Sequence, residues 1–145
     1  MLIRNSTSTA TTESQLSAGI AILRVVVGII FIAHGAQKLF EVGPAAVAEG
    51  FGQAGIPMAA LLAPAVSLIE FVGGIMLVLG LFTRPISVVL AGTMLGALLF
   101  VHLPAGFFLP AGYEFVLALM AATVALTLTG PGRLSIDHAL TERRT

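Results

Sequence analysis

This sequence predicts an all-α membrane protein folded as a four-transmembrane-helix bundle, and three observations predict it. Hydrophobic residues make up 57% of the 145 and charged residues only 10%, and the mean hydropathy of +1.04 lies far outside the soluble globular range. Four apolar runs approach the roughly 20 helical residues that cross a hydrocarbon layer of about 30 Å. Gly and Pro breaks separate them, at Gly43-Pro44, at Pro85, between Pro104 and Gly112, and at Gly130-Pro131-Gly132.

Charge and cysteine narrow the function classes. Seven Lys and Arg balance seven Asp and Glu, which leaves no basic surface for nucleic acid. Cysteine is absent, so thiol catalysis, disulfide exchange and Cys-ligated clusters are not chemistry of this chain itself. A redox role would have to draw its electrons from a partner or cofactor.

Taken in order, residues 1–15 are rich in Ser and Thr and read as a disordered cytoplasmic tail ahead of a transmembrane domain over 16–132. Span one, about 18–40, is too long for a signal-peptide core and lacks a small-residue cleavage site, so it reads as a retained helix. A short surface helix near Ala45 to Gln53, closed by Gly55, follows. Span two covers about 58–82, with Pro57 at its start and Pro64 marking a kink or a later start. Thr83, Arg84 and Pro85 form a tight turn into span three, 86–103, whose Gly92 and Gly96 have the GxxxG spacing that permits close helix approach. Phe107 and Phe108 then read as interfacial. Span four covers about 113–129, after which residues 133–145 form a cytoplasmic tail with a short helix capped by Ser135.

An even number of spans places both termini and the Arg84 turn on one side. Arg4, Arg84, Arg133, Arg143 and Arg144 gather there, against Lys38 alone on the other, so the termini are expected to be cytoplasmic. A weak duplication suggests two related hairpins: Gly28, His34 and Phe40 repeat as Gly96, His102 and Phe108, and Glu70-Phe71-Val72 with Met76 repeats as Glu114-Phe115-Val116 with Met120.

Span one carries Arg24, His34 and Lys38 on one helical face together with Val27, Gly28, Phe31 and Gly35. Ionisable groups are costly against lipid, so this face needs partners inside the bundle. Counting 1.5 Å per residue from the inner edge puts Arg24 roughly 6 Å deep and Glu70 roughly 18 Å deep, with His34, Lys38, His102 and Glu114 in the outer third. Side chains lean toward their helix N-terminus, so Lys38 and His34 lean inward while Glu70 leans outward. Depth and direction favour Glu70 with Lys38 or His34, and send Arg24 toward the headgroups unless helix tilt brings it to Glu70. A buried Lys and Glu pair serves helix register as readily as chemistry. At His102 and Glu114, near the interface, solvated or capping roles are favoured. Glu41 and Glu49 read as loop solvation, and Tyr113 as an interfacial anchor. No HxxxH or HExxH spacing marks a metal centre, and no metal is assigned.

The blocks LRVVVGIIFIAHGAQKLF, GIP, LIEFVGGIMLVLGLFTRP, GYEF and LTGPGRLSID, in that order between about residues 20 and 137, resemble the DoxX family. The resemblance implies a small four-helix protein of the bacterial inner membrane, linked to oxidoreductase assemblies that handle oxidative or thiol stress. Related DoxD proteins are subunits of thiosulfate:quinone oxidoreductase, and other relatives are associated with resistance to quinones and catechols. No catalytic triad comes with the family. The positions that correspond are Arg24, His34 and Lys38 in the first block, then Glu70, His102 and Glu114.

The expected role is therefore a membrane subunit of a redox assembly, with a polar intramembrane pocket formed by these six residues and a quinone as the ligand it suits. Soluble redox enzymes are the expected partners, beside the lipid bilayer. Two alternatives stand beside it: a small-solute or proton-coupled carrier acting as a homodimer through Gly92 and Gly96, and a non-catalytic scaffold for soluble enzymes.

Overall fold

The computed structural model describes residues 6–143, and all regular structure among them is helical. Helix α1, Ser6–Ala36, runs on through a π-helical turn, Gln37–Val42, and a short helix α2, Pro44–Gln53, follows. Helix α3 is Ala59–Leu79. Helix α4, Thr83–Gly96, likewise ends in a π-turn, Ala97–His102, and then a single 3-10 turn, Leu103–Ala105. Helices α5, Glu114–Thr129, and α6, Ile136–Glu142, complete the chain. Among the described residues, three helical stretches are long and apolar enough to cross a membrane, Thr11–Val42, Ala59–Leu79 and Thr83–Ala105, whereas α5 is apolar but shorter.

Several boundaries differ from the sequence-based expectation for local reasons. The Ser- and Thr-rich stretch expected as a tail is helical from Ser6 onward; once a long helix is nucleated, each added residue costs little, and polar residues extend it. Residues 1–5 lie outside the described residues. Pro64 sits inside α3 rather than at its start, a position membrane helices tolerate because neighbours satisfy the freed carbonyl. Helix α4 begins at Thr83, so the turn is Gly80 to Phe82, with both of those residues left-handed at φ 68° and 47°. The earlier start comes from Asp137, whose carboxylate accepts the N–H groups of Phe82 and Thr83 at 2.8 and 2.9 Å. That is an N-cap supplied from 55 residues away.

The helices pair as α1 with α3 and α4 with α5, around a buried core that includes Val27, Phe31, Leu77, Leu90, Met94 and Leu126. Glycine makes the first pairing possible. A Cβ on Gly28 would lie 2.7 Å from the Gly74 carbonyl oxygen, and one on Gly74 would lie 2.6 Å from that of Gly28. Gly35 meets the Phe71 backbone in the same way. Backbone therefore packs on backbone along α1 and α3, the small-residue contact that substitutes for hydrophobic drive inside lipid. The expected GxxxG pair behaves otherwise: Gly92 and Gly96 have nothing within 4 Å of a Cβ position.

The C-terminal segment clasps one end of the bundle. Asp137 N–H donates to Gly80 O at 2.9 Å, Arg133 N–H donates to Ser17 Oγ at 2.8 Å, and Ser135 caps α6 through His138 N–H. The opposite end holds α2 and the loop between the 3-10 turn and α5. Replacing Gly74 with Val is expected to destabilise the fold by about 1–3 kcal/mol or abolish it, because the clash is with backbone that cannot rotate away. Gly92→Ala should be neutral or stabilising by up to about 1 kcal/mol through helix propensity. Thermal unfolding in mild detergent, followed by far-UV circular dichroism, checks both.

Candidate functional site

The π-turn that ends α1 carries Lys38, and single π-turns inside α-helices recur at functional sites. Lys38 Nζ donates to both carboxylate oxygens of Glu70 on α3, at 2.7 and 2.5 Å. Glu70 is 2% exposed, whereas the Lys38 side chain keeps 27% of its surface. A carboxylate that deeply buried holds its charge only beside a cation, and the ammonium satisfies both of its oxygens. An ammonium has three N–H donors. Two point at Glu70, which leaves one for a ligand.

Lys38 lines a cavity of about 390 Å³ between α1, α3, α4 and α5, in the size range of small-molecule sites. Phe31, Phe115 and Met94 supply its apolar walls, and His34 and His102 its polar ones, beside Lys38 and Glu70. The His34 ring lies 6.0 Å from that of Phe115, tilted by 45°. His102 sits in the second π-turn, with Nδ1 2.9 Å from the carbonyl oxygen of Ala111. A carbonyl only accepts, so Nδ1 carries the proton and a neutral His102 keeps Nε2 as an acceptor. The arrangement can hold a flat ring against aromatic walls and present donors and an acceptor to its oxygens.

Four of the six expected residues, Lys38, Glu70, His34 and His102, line this one cavity. The other two do not join them. Arg24 is 2% exposed and lies at the clasped end, where its guanidinium sits over Gly80 and donates from Nη2 to the Leu134 carbonyl oxygen at 2.6 Å. Its Nε and Nη1 are buried with no partner among the described residues, and Asp137 is the carboxylate whose charge acts on it. Neither headgroup snorkelling nor a link to Glu70 describes it. Glu114 accepts the Leu109 N–H at 2.8 Å while its own N–H donates to Phe107 O, closing the loop ahead of α5. Tyr113 packs edge-on against Phe107 in the same loop, with ring centroids 5.3 Å apart.

Two features escaped the sequence. One is the Asp137 cap, which no local pattern announces. The other is a second, more apolar cavity of about 490 Å³ between α2, α3 and α4, lined by Phe51, Leu62, Val66 and Phe100 and floored by Gly92 and Gly96. Lys38, Glu70, Ala97 and His102 line both cavities. Apolar side chains around open glycines were the available signal.

The chain matches the DoxX family over residues 19–103. It is 36% identical over 125 residues to a Bacillus subtilis protein named "Putative oxidoreductase CatD", covering 86% of this chain and 89% of that one. It is similar at 32% identity over 137 residues to the uncharacterised membrane protein Rv3486 of Mycobacterium tuberculosis, covering 85% and 82%. To the inner membrane protein YqjF of Escherichia coli it is 31% identical over 126 residues, covering 86% and 94%. No solved structure matches.

Breaking the ion pair from one side leaves a stranded charge. Lys38→Met is expected to destabilise the protein by about 3 kcal/mol, the low end for a buried pair because Lys38 is partly exposed. Lys38→Met with Glu70→Met should recover most of that loss. A double-mutant cycle read by thermal unfolding in detergent checks the coupling, and simple additivity would show the two groups do not interact.

Proposed function

Because the chain belongs to the DoxX family of membrane proteins, we propose that it is the membrane subunit of an oxidoreductase assembly and binds a quinone-type ring in the cavity beside Lys38. The observation that carries this reading is the Lys38–Glu70 pair, buried on its carboxylate side and open to a ring-sized, aromatic-walled cavity on its ammonium side. The third Lys38 N–H donates to one ring oxygen, a charge-assisted hydrogen bond. His34 faces the same space, and Glu70 accepts or returns a proton through Lys38 as the ring oxygens change basicity. Quinone reduction takes two electrons and two protons. The chain has no cysteine and no Gly-rich nucleotide fingerprint, so the electrons come from a partner oxidoreductase. The name of the Bacillus subtilis relative points to the same class of chemistry.

The proposal includes four spans in the bacterial inner membrane with both termini cytoplasmic. Its support is the pairing of apolar α5 along α4, the inner-membrane name of one relative, and the placing of Arg84, Arg133 and Arg143 at the clasped end while Lys38 stands near the other. At 16 residues, α5 is about 24 Å long, which a locally thinned bilayer accommodates.

Purified protein in lipid nanodiscs, titrated with a short-chain benzoquinone and followed by absorbance or isothermal calorimetry, tests the binding. Wild type is expected to bind, and His34→Ala, whose side chain is exposed and makes no hydrogen bond among the described residues, should weaken binding while leaving thermal stability unchanged. Lys38→Met should weaken it by about 10- to 100-fold, the contribution of one charged hydrogen bond. Wild-type protein that binds no quinone, or Lys38→Met protein that binds as tightly as wild type, overturns the reading.

A further inference from the structure

The second cavity has no part in holding a ring, yet it shares four wall residues with the cavity that does. Away from that shared wall it is lined almost wholly by apolar side chains, Thr93 excepted, and its floor is the bare backbone of Gly92 and Gly96. Both glycines lie on a helix interior where Ala would be more stable. Space left open by glycine along an apolar channel fits a narrow, flexible occupant. We propose that this channel takes the hydrocarbon tail of the ligand whose ring lies beside Lys38, so that the substrate class is a lipid-soluble quinone with an isoprenoid or alkyl chain and not a water-soluble ring. The inference rests on the quinone reading and extends it.

Size and polarity decide among the occupants. A space of about 490 Å³ with apolar side chains on its far walls fits a hydrocarbon chain. The polar atoms cluster where the two cavities meet, at Lys38, Glu70 and His102. One amphiphile, with a polar ring on that side and an apolar tail on the other, satisfies both spaces at once. A bulk-lipid acyl chain satisfies only one.

The test compares two quinones with the same ring, one tailless and one carrying two or three isoprene units, on wild type and on Gly92→Leu and Gly96→Leu in nanodiscs of one lipid composition. Partitioning of the tailed compound into the bilayer is the same for every variant, so the ratio of affinities between variants removes it. Both substitutions place a side chain into open space on a helix, and thermal unfolding confirms that they fold. Wild type is expected to bind the tailed quinone at least about tenfold tighter than either leucine variant, while the tailless quinone binds all three alike. Equal loss for both quinones, or no loss for either, overturns the tail site while leaving the ring site standing; an acyl chain of bulk lipid in the channel gives the second result. A dimer in native mass spectrometry that Gly92→Leu or Gly96→Leu dissociates also overturns it, because a second copy then occupies the channel. Absence of binding by both quinones to wild type overturns the ring reading, and the tail site with it.

Discussion

A carboxylate that is 2% exposed among apolar helices is the constraint on which the arrangement depends. Glu70 tolerates that burial because Lys38 meets both of its oxygens, and the pair acts on the fold before it acts on any ligand. Rotating α1 by one residue, about 100°, would carry the ammonium away from α3. The glycine contacts at Gly28, Gly35 and Gly74 favour the same rotation, since a Cβ turned into them would clash with backbone. The ion pair reinforces that choice. Buried charge pairs add little net stability against an apolar substitute, and specificity of register is their better-attested use. The register that satisfies Glu70 also sets Lys38 in the wall of the cavity.

The two ends of the bundle differ in kind. At one end Arg24, Gly80, Leu134, Ser17 and Asp137 tie α1, the α3–α4 turn and α6 together through side chain to backbone hydrogen bonds. At the other end both long helices finish in π-turns and give way to loops. A π-turn bulges the backbone and re-aims the side chains it carries, and Lys38 and His102, two of the four residues common to both cavities, sit in the two π-turns. A helix ending in regular α-geometry would place neither at that wall. The fixed end supplies rigidity, and the irregular end supplies shape.

Legibility in the sequence followed the range of the interaction. Helices α1, α3 and α4 were readable because apolar length is a property of contiguous residues. That Glu70 pairs with Lys38 or His34, rather than with Arg24, was readable because depth and the lean of side chains follow from helix geometry. Arg24 was not, since its partner is the backbone carbonyl of Leu134, 110 residues away, and any residue type offers a carbonyl. The start of α4 was missed for the same reason: Asp137 caps it from beyond the last long helix. The glycines were sorted in reverse. GxxxG spacing suggested close approach at Gly92 and Gly96, yet approach occurs at Gly28, Gly35 and Gly74, because a spacing says which residues share a face and nothing about what that face meets.

The sequence matches between the two hairpins leave out the lysine. Gly28, His34 and Phe40 recur as Gly96, His102 and Phe108, and Glu70 recurs as Glu114, but the position that corresponds to Lys38 is Gly106. The chain's one lysine stands at Glu70, and Glu114, the first residue of α5, accepts the Leu109 N–H instead. The second half contributes walls: Phe115, the counterpart of Phe71, faces His34, and His102 comes up beside Glu70. The first half supplies the charge pair, and the second supplies a ring-bearing wall and an imidazole. The cavity lies where the two hairpins meet, with the charge pair on one side and the aromatic wall on the other.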